Sequence, residues 1–203
     1  MFGYYGKLIP NDTQESQDYL IYYLTDLVNT FDTEKKLAAR ALLAKISLLS
    51  GAYEAAIQQC QYILDTNAFI LDPQALDNPK SKEVIWGGYK ENFSNPENPS
   101  GSYIHPILLR EVYLMTAIAY SQTQREEEAS RLKNTLKEAF SIESTEWTDY
   151  INVLRGTGSA YPYYRLLNIP INQTGFISST HYYLPIPKQA INDYDMTQNN
   201  GYN

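Results

Sequence analysis

The sequence predicts a mainly α fold of helical hairpins that carry two long aromatic loops, with little β structure. Apolar residues recur at i, i+3, i+4 and i+7 through most of the first 66 residues and again over about 106–140, the period of a helix with one buried face. A glycine at position 51 separates two such stretches, where a left-handed cap would end one helix and start a turn. Hydrophobic residues are 43% of the 203 and charged residues 19%, which is enough apolar surface for a packed core and excludes a disordered chain.

Taken in order, the first ten residues read as loop, and Asp12 with Glu15 has capping-box spacing. Tyr19, Leu20, Tyr23, Leu24, Leu27, Val28 and Phe31 then mark the face of a first helix. A second begins near Glu34, with Leu37, Ala38, Ala41, Leu42, Leu48 and Leu49 as its stripe and alanines that let a neighbour approach closely. The third carries Tyr53, Ala56, Ile57, Cys60 and Leu64, so Cys60 is expected in the core. Together the second and third make a hairpin at about 34–66, and "GAYEAAIQQCQYIL" has the Gly-x-Tyr-x-x-Ala spacing of a tetratricopeptide-like unit.

A second hairpin is expected at about 106–140. Leu109, Val112, Thr116, Ala119 and Tyr120 mark one face, and Ala129, Leu132, Leu136, Ala139 and Phe140 the next. Its turn, "SQTQREEE", lacks glycine but has the same length and polarity. Glu126, Glu127 and Glu128 fall in the first turn of the following helix, where negative charge suits the helix dipole. Between the hairpins, Glu83–Trp86 is a short β-prone run, and about 86–104 reads as an irregular aromatic loop rich in Asn, Pro, Gly and Ser. A second irregular loop is expected at about 156–187, and the whole of 1–203 is read as one domain. Loops of this length are usually functional or disordered.

The chemistry is defined first by exclusion. A net charge of −7 without Lys/Arg clusters excludes nucleic acid and an anionic membrane face as partners. No apolar run reaches the ~20 residues of a spanning helix. The start, Met1-Phe-Gly-Tyr-Tyr, lacks the basic and apolar regions of a signal peptide. His105 and His181 have no ligand-spaced partners, one cysteine makes no disulfide, and no nucleophile motif or complete phosphate loop occurs. The reading is therefore of a non-enzyme with no catalytic residue, metal site or cofactor. Tyrosine is the compositional outlier, at 19 residues, and pairs an apolar ring with a hydroxyl in the way a sugar-binding surface needs.

Four stretches carry a family resemblance, in order along the chain: "KLAARALLAKISLLSGAYEAAIQQCQYIL", "SKEVIW", "HPILLREVYLMTAIAY" and the ending "YYLPIPKQAINDYDMTQNNGYN". They resemble the SusD/RagB family of glycan-binding outer-membrane lipoproteins. Asn200 stands where that family often has proline, and the opening "YYGKLIP" is similar to its Tyr-Gly-x-x-Pro loop. Because members are longer and begin with a lipoprotein signal, the resemblance implies an N-terminally truncated or compact member whose lipid anchor is not encoded in this chain.

The resemblance further implies capture of oligosaccharide or polysaccharide at the outer-membrane cell surface and delivery to a SusC-type TonB-dependent transporter. The candidate ligand residues are Trp86, Tyr89, Tyr103, Tyr161, Tyr163 and Arg165. Trp86 is expected to pack beneath the helices unless it binds ligand; the tyrosines stand in Gly- or Pro-rich surroundings that favour exposure. Two alternatives stand beside glycan binding: a helical protein–protein interaction scaffold without its own sugar site, and a hydrolase with dispersed carboxylates.

Overall fold

The computed structural model describes residues 13–31, 33–75, 78, 80–91, 101–154 and 160–169, and these are mainly helical. In order they form α1 (Thr13–Thr30), α2 (Thr33–Leu49), α3 (Tyr53–Asp65), β1 (Val84–Glu91), β2 (Gly101–Leu108), α4 (Leu109–Gln122), α5 (Glu126–Phe140), α6 (Trp147–Asn152) and α7 (Tyr161–Leu166). Contacts within the chain gather into two compact units, Met1–Ser159 and Ala160–Asn203. The opening loop, the tip of the first aromatic loop and the closing Pro-Ile-Pro and Asn-Gly-Tyr segments lie outside the described residues.

Helices α1 to α5 pack each on the next in chain order. The two hairpins turn in the same way. Gly51 adopts φ +82, Ala52 N donates to Ser47 O at 2.8 Å and Gly51 N to Leu48 O at 3.2 Å, a Schellman cap that satisfies the last carbonyls of α2. Seventy-three positions on, Gln124 does the same without a glycine: its φ is 61, and Arg125 N donates to Tyr120 O at 2.9 Å. In each case the next helix starts two residues after the left-handed position.

Burial follows from place in the stack. Leu24 and Val28 of α1 meet Ala39 and Leu43 of α2, with Ile21, Leu27, Leu42 and Ile46 packed around them. The first helix is thus buried on a narrower face than its spacing predicted, and Tyr19, Leu20, Tyr23 and Phe31 lie exposed. Helix α4, between α3 and α5, is buried from Leu109 to Met115 save Tyr113, and on through Ala119. A helix covered on both sides has no polar face, so one-face periodicity understates its core.

The stretch expected as an irregular loop at about 86–104 is strand at both ends. β1 and β2 pair antiparallel, with Val84 opposite Leu108, Trp86 opposite Ile107, Gly88 opposite Ile104 and Tyr89 opposite Tyr103. The register slips once on each strand. Ile85 is the extra residue between the first two pairs, and His105-Pro106 supply the extra residue between the next two. Proline has no N–H to give a ladder, so a bulge at Pro106 costs little pairing. Part of the second expected loop is helix α7, where Pro162 stands in the first turn and Asn168 (φ 53) makes the left-handed stop, with Ile169 N donating to Tyr164 O at 2.8 Å.

Candidate functional site

The β-hairpin is held at its base by ionic chemistry. Glu83, immediately before β1, is fully buried, and Arg110, two residues past β2, is buried with it. Arg110 Nε donates to Glu83 Oε1 at 2.6 Å and Nη2 to Oε2 at 2.7 Å, the two-pronged geometry that a planar guanidinium offers a carboxylate. Backbone groups complete both partners: Glu83 Oε1 accepts from Arg110 N at 3.0 Å, and Oε2 from Asp72 N at 2.9 Å. Two of the three remaining guanidinium hydrogens go to Asp72 O (2.6 Å) and Val153 O (3.1 Å), and Phe140 lies under the guanidinium at 4.4 Å. A buried ion pair is tolerable only when satisfied in this manner.

Around it a second set of bonds orders the approach to β1. Ser81 Oγ donates to Asp72 Oδ2 at 2.6 Å, and Asp72 Oδ1 accepts from Gln74 N at 3.0 Å. These bonds, the Ser81 hydroxyl first, hold the Asp72 carboxyl below the usual carboxylate range. Lys45 of α2 donates to Glu111 Oε1 at 2.7 Å, tying the second helix to the start of the fourth. Ser81, Glu83, Arg110, Glu111 and Lys45 all belong to the stretches that carry the sequence resemblance. Their chemistry here is structural.

Trp86 sits three residues beyond Glu83 and is 51% exposed. The expectation that it packs beneath the helices is therefore corrected: strand alternation sends Ile85 inward and Trp86 outward. Tyr89 and Tyr103 occupy opposite positions of one rung further along the same hairpin. Tyr163 is another correction. It lies in α7 and is 0% exposed, so it offers no ring to a ligand as it stands. Tyr161 begins that helix, and Arg165 stands in its last turn as an exposed side chain that makes its own contacts in the structure. Trp86, Tyr89 and Tyr103 are thus brought onto one hairpin, whereas Tyr161, Tyr163 and Arg165 belong to α7, in the second unit.

Sequence reasoning missed other exposed aromatics. Tyr19 and Tyr23 stack at 6.5 Å with ring planes 9° apart on the outer side of α1, and Tyr22 is 75% exposed beside them. Tyr62, 44% exposed on α3, has the Arg40 guanidinium over its ring at 3.7 Å, with Arg40 Nη1 donating to Gln59. Tyr22 and Tyr62 both fall off the apolar stripes of their helices, and that was the available signal. Elsewhere the aromatics are used internally: Lys133 Nζ lies over Trp147 (4.4 Å) and Tyr150 (4.7 Å) and donates to Thr145 O. Burial there pushes the Lys133 ammonium down.

Cys60 is wholly buried between α3 and α4, and its thiol is pushed up to about 12, chiefly by desolvation, with Thr116 opposing and the Glu111 charge adding. A thiol in that state is no nucleophile. Among the described residues no cluster of His, Cys, Asp or Glu is placed to hold a metal ion, and no helix is long and apolar enough to cross a membrane.

No protein-family model matches the chain, and no curated protein matches it. Solved structures do. A SusD-like protein from Bacteroides fragilis NCTC 9343 superposes with a TM-score of 0.69 at 12% identity, over 93% of this chain and 71% of that one. A SusD superfamily protein from Bacteroides thetaiotaomicron VPI-5482 gives 0.62 at 16% identity, over 92% and 66%. A protein from Bacteroides vulgatus ATCC 8482, described as sugar binding, gives 0.61 at 16% identity, over 93% and 65%. Nearly all of this chain therefore corresponds to about two thirds of each neighbour's length. The chain has the fold of the SusD-like proteins.

Proposed function

We propose that this chain is a glycan-binding protein of the bacterial cell surface, which captures oligosaccharide or polysaccharide and passes it to a SusC-type TonB-dependent transporter in the outer membrane. The observation that carries the reading is Trp86, a large aromatic ring half in solvent on a strand whose base is pinned by Glu83 and Arg110. Sugar C–H faces stack on such a ring, and an anchored strand spares the binding event the entropy of ordering it. Tyr89 and Tyr103, paired across one rung of the same hairpin, are the further candidate residues. The likeness to a structure described as sugar binding supports the same reading. Binding, not bond cleavage, is the proposed activity.

The experiment is native affinity electrophoresis through gels cast with soluble polysaccharides, including starch, levan, pectin, xylan and host-type glycans. Retardation by one of them is expected, and Trp86→Ala abolishes it while leaving the melting temperature in place. Uniform mobility of folded protein across the panel overturns the reading. A second reading, a helical scaffold that contacts the transporter without its own sugar site, is favoured by the exposed Tyr19, Leu20, Tyr22 and Tyr23 of α1. It expects transporter binding to fall on Tyr22→Ser and to survive Trp86→Ala.

A further inference from the structure

Among the described residues the hairpin that presents Trp86 forms a two-stranded sheet, and an isolated pair of strands is marginal in water. What holds it is concentrated at its base. Ile85, Ile107 and Leu108 are buried there, Leu109 N donates to Glu83 O at 3.0 Å, and the Glu83–Arg110 pair closes the next position beyond the last rung, Val84 opposite Leu108. Bonds from that pair reach three parts of the first unit: the 72–83 loop through Asp72, the start of α4 through Arg110 N, and the residue after α6 through Val153. We infer that Glu83 and Arg110 are positioning residues for the aromatic hairpin, setting where Trp86 stands without touching ligand; the proposal rests on Trp86 being a ligand contact.

The pair acts on the hairpin by leverage. Neither charge can be left alone in a buried site, so the pair opens as a unit or not at all. While it is closed, both strands leave the core at fixed points, three residues from Trp86 on one side and three from Ile107 on the other. When it opens, the hairpin loses its strongest anchor, and the alternation that turns Trp86 outward is no longer imposed by Ile85 and Leu108 seated in the core. Apparent affinity then falls in proportion to the fraction of molecules whose hairpin stays in place.

The test has two parts. Amide exchange on the wild-type protein is expected to show the hairpin amides opening together with the amide of Arg110, as one cooperative unit. Hairpin amides exchanging far faster than Arg110 would overturn the proposal, because the hairpin would then open over a closed clamp. In Glu83→Gln, made in a Trp147→Phe background, Trp86 is the single tryptophan. A hairpin in place about a tenth of the time weakens glycan binding about tenfold, with lower Trp86 anisotropy and unchanged exchange in α2 and α3. If Trp86→Ala loses binding but Glu83→Gln binds as wild type, the positioning role fails alone. If Trp86→Ala binds as wild type, the glycan reading of Trp86 fails, and the positioning role with it.

Discussion

At Cys60 the consequences of burial are directly measurable. Its thiol remains protonated in the folded chain up to about 12, whereas the ordinary value is 9.0. Its contribution to stability is therefore complete below pH 9.0 and is lost as the pH rises from 9.0 towards about 12, because the unfolded chain ionises first. Iodoacetamide at about pH 8.5 should leave native Cys60 unmodified and label it on addition of denaturant, and labelling of the native protein would contradict its placement. Tyr163, with no exposed surface, makes the opposite prediction to Trp86. Tyr163→Ala should cost ~3–5 kcal/mol in chemical denaturation, the range for removing a buried aromatic ring. Trp86→Ala should stay within ~0.5 kcal/mol, as surface changes usually do. At Gln124 the left-handed backbone costs ~1–2 kcal/mol, of which glycine's extra unfolded-state freedom would take back ~0.5–1. Gln124→Gly is accordingly expected to stabilise the protein by a fraction of a kcal/mol to about one, seen as a higher melting temperature; a decrease would mean that the Gln124 side chain holds the turn.

At the scale of elements, helices were legible and paired strands were not. The spacing of Ala56, Ile57 and Cys60 and the left-handed Gly51 could be read because each signal lies within a few residues. The strands are specified by each other: Gly87-Gly88 reads as a loop until Tyr103 and Ile104 pair alongside, and Pro106 reads as a breaker until it is seen in a bulge. Exposure of Trp86 was missed for the same cause, since a β-prone run gives alternation but not which face meets the core. Helix α7 was legible in principle. Pro162 in the first turn, Asn168 as a left-handed stop and Pro170 beyond it are ordinary punctuation, hidden behind a count of aromatic residues. The clamp was visible only as sequence resemblance. "SKEVIW" and "HPILLREVYLMTAIAY" resemble segments of one family, and the structure supplies a reason that Glu83 and Arg110 go together.

For the whole molecule, the order of packing explains which residues remain free for function. Each helix from α1 to α5 covers the one before it, so inner helices such as α4 are consumed by the core, and among the described residues exposed aromatic rings survive on α1, at Tyr62 of α3 and at Trp86 of the hairpin. Trp86 joins exposure to a strand whose base is pinned by a buried ion pair, and that is why the proposed sugar site is placed on the hairpin. The measurement that tests this most directly is a fluorescence titration of Trp147→Phe, in which Trp86 alone reports, with the polysaccharide that retards the protein in gels. The account predicts a saturable shift in Trp86 emission whose midpoint equals the dissociation constant measured calorimetrically. Calorimetric binding with no change in Trp86 emission would contradict it and move the site off the hairpin.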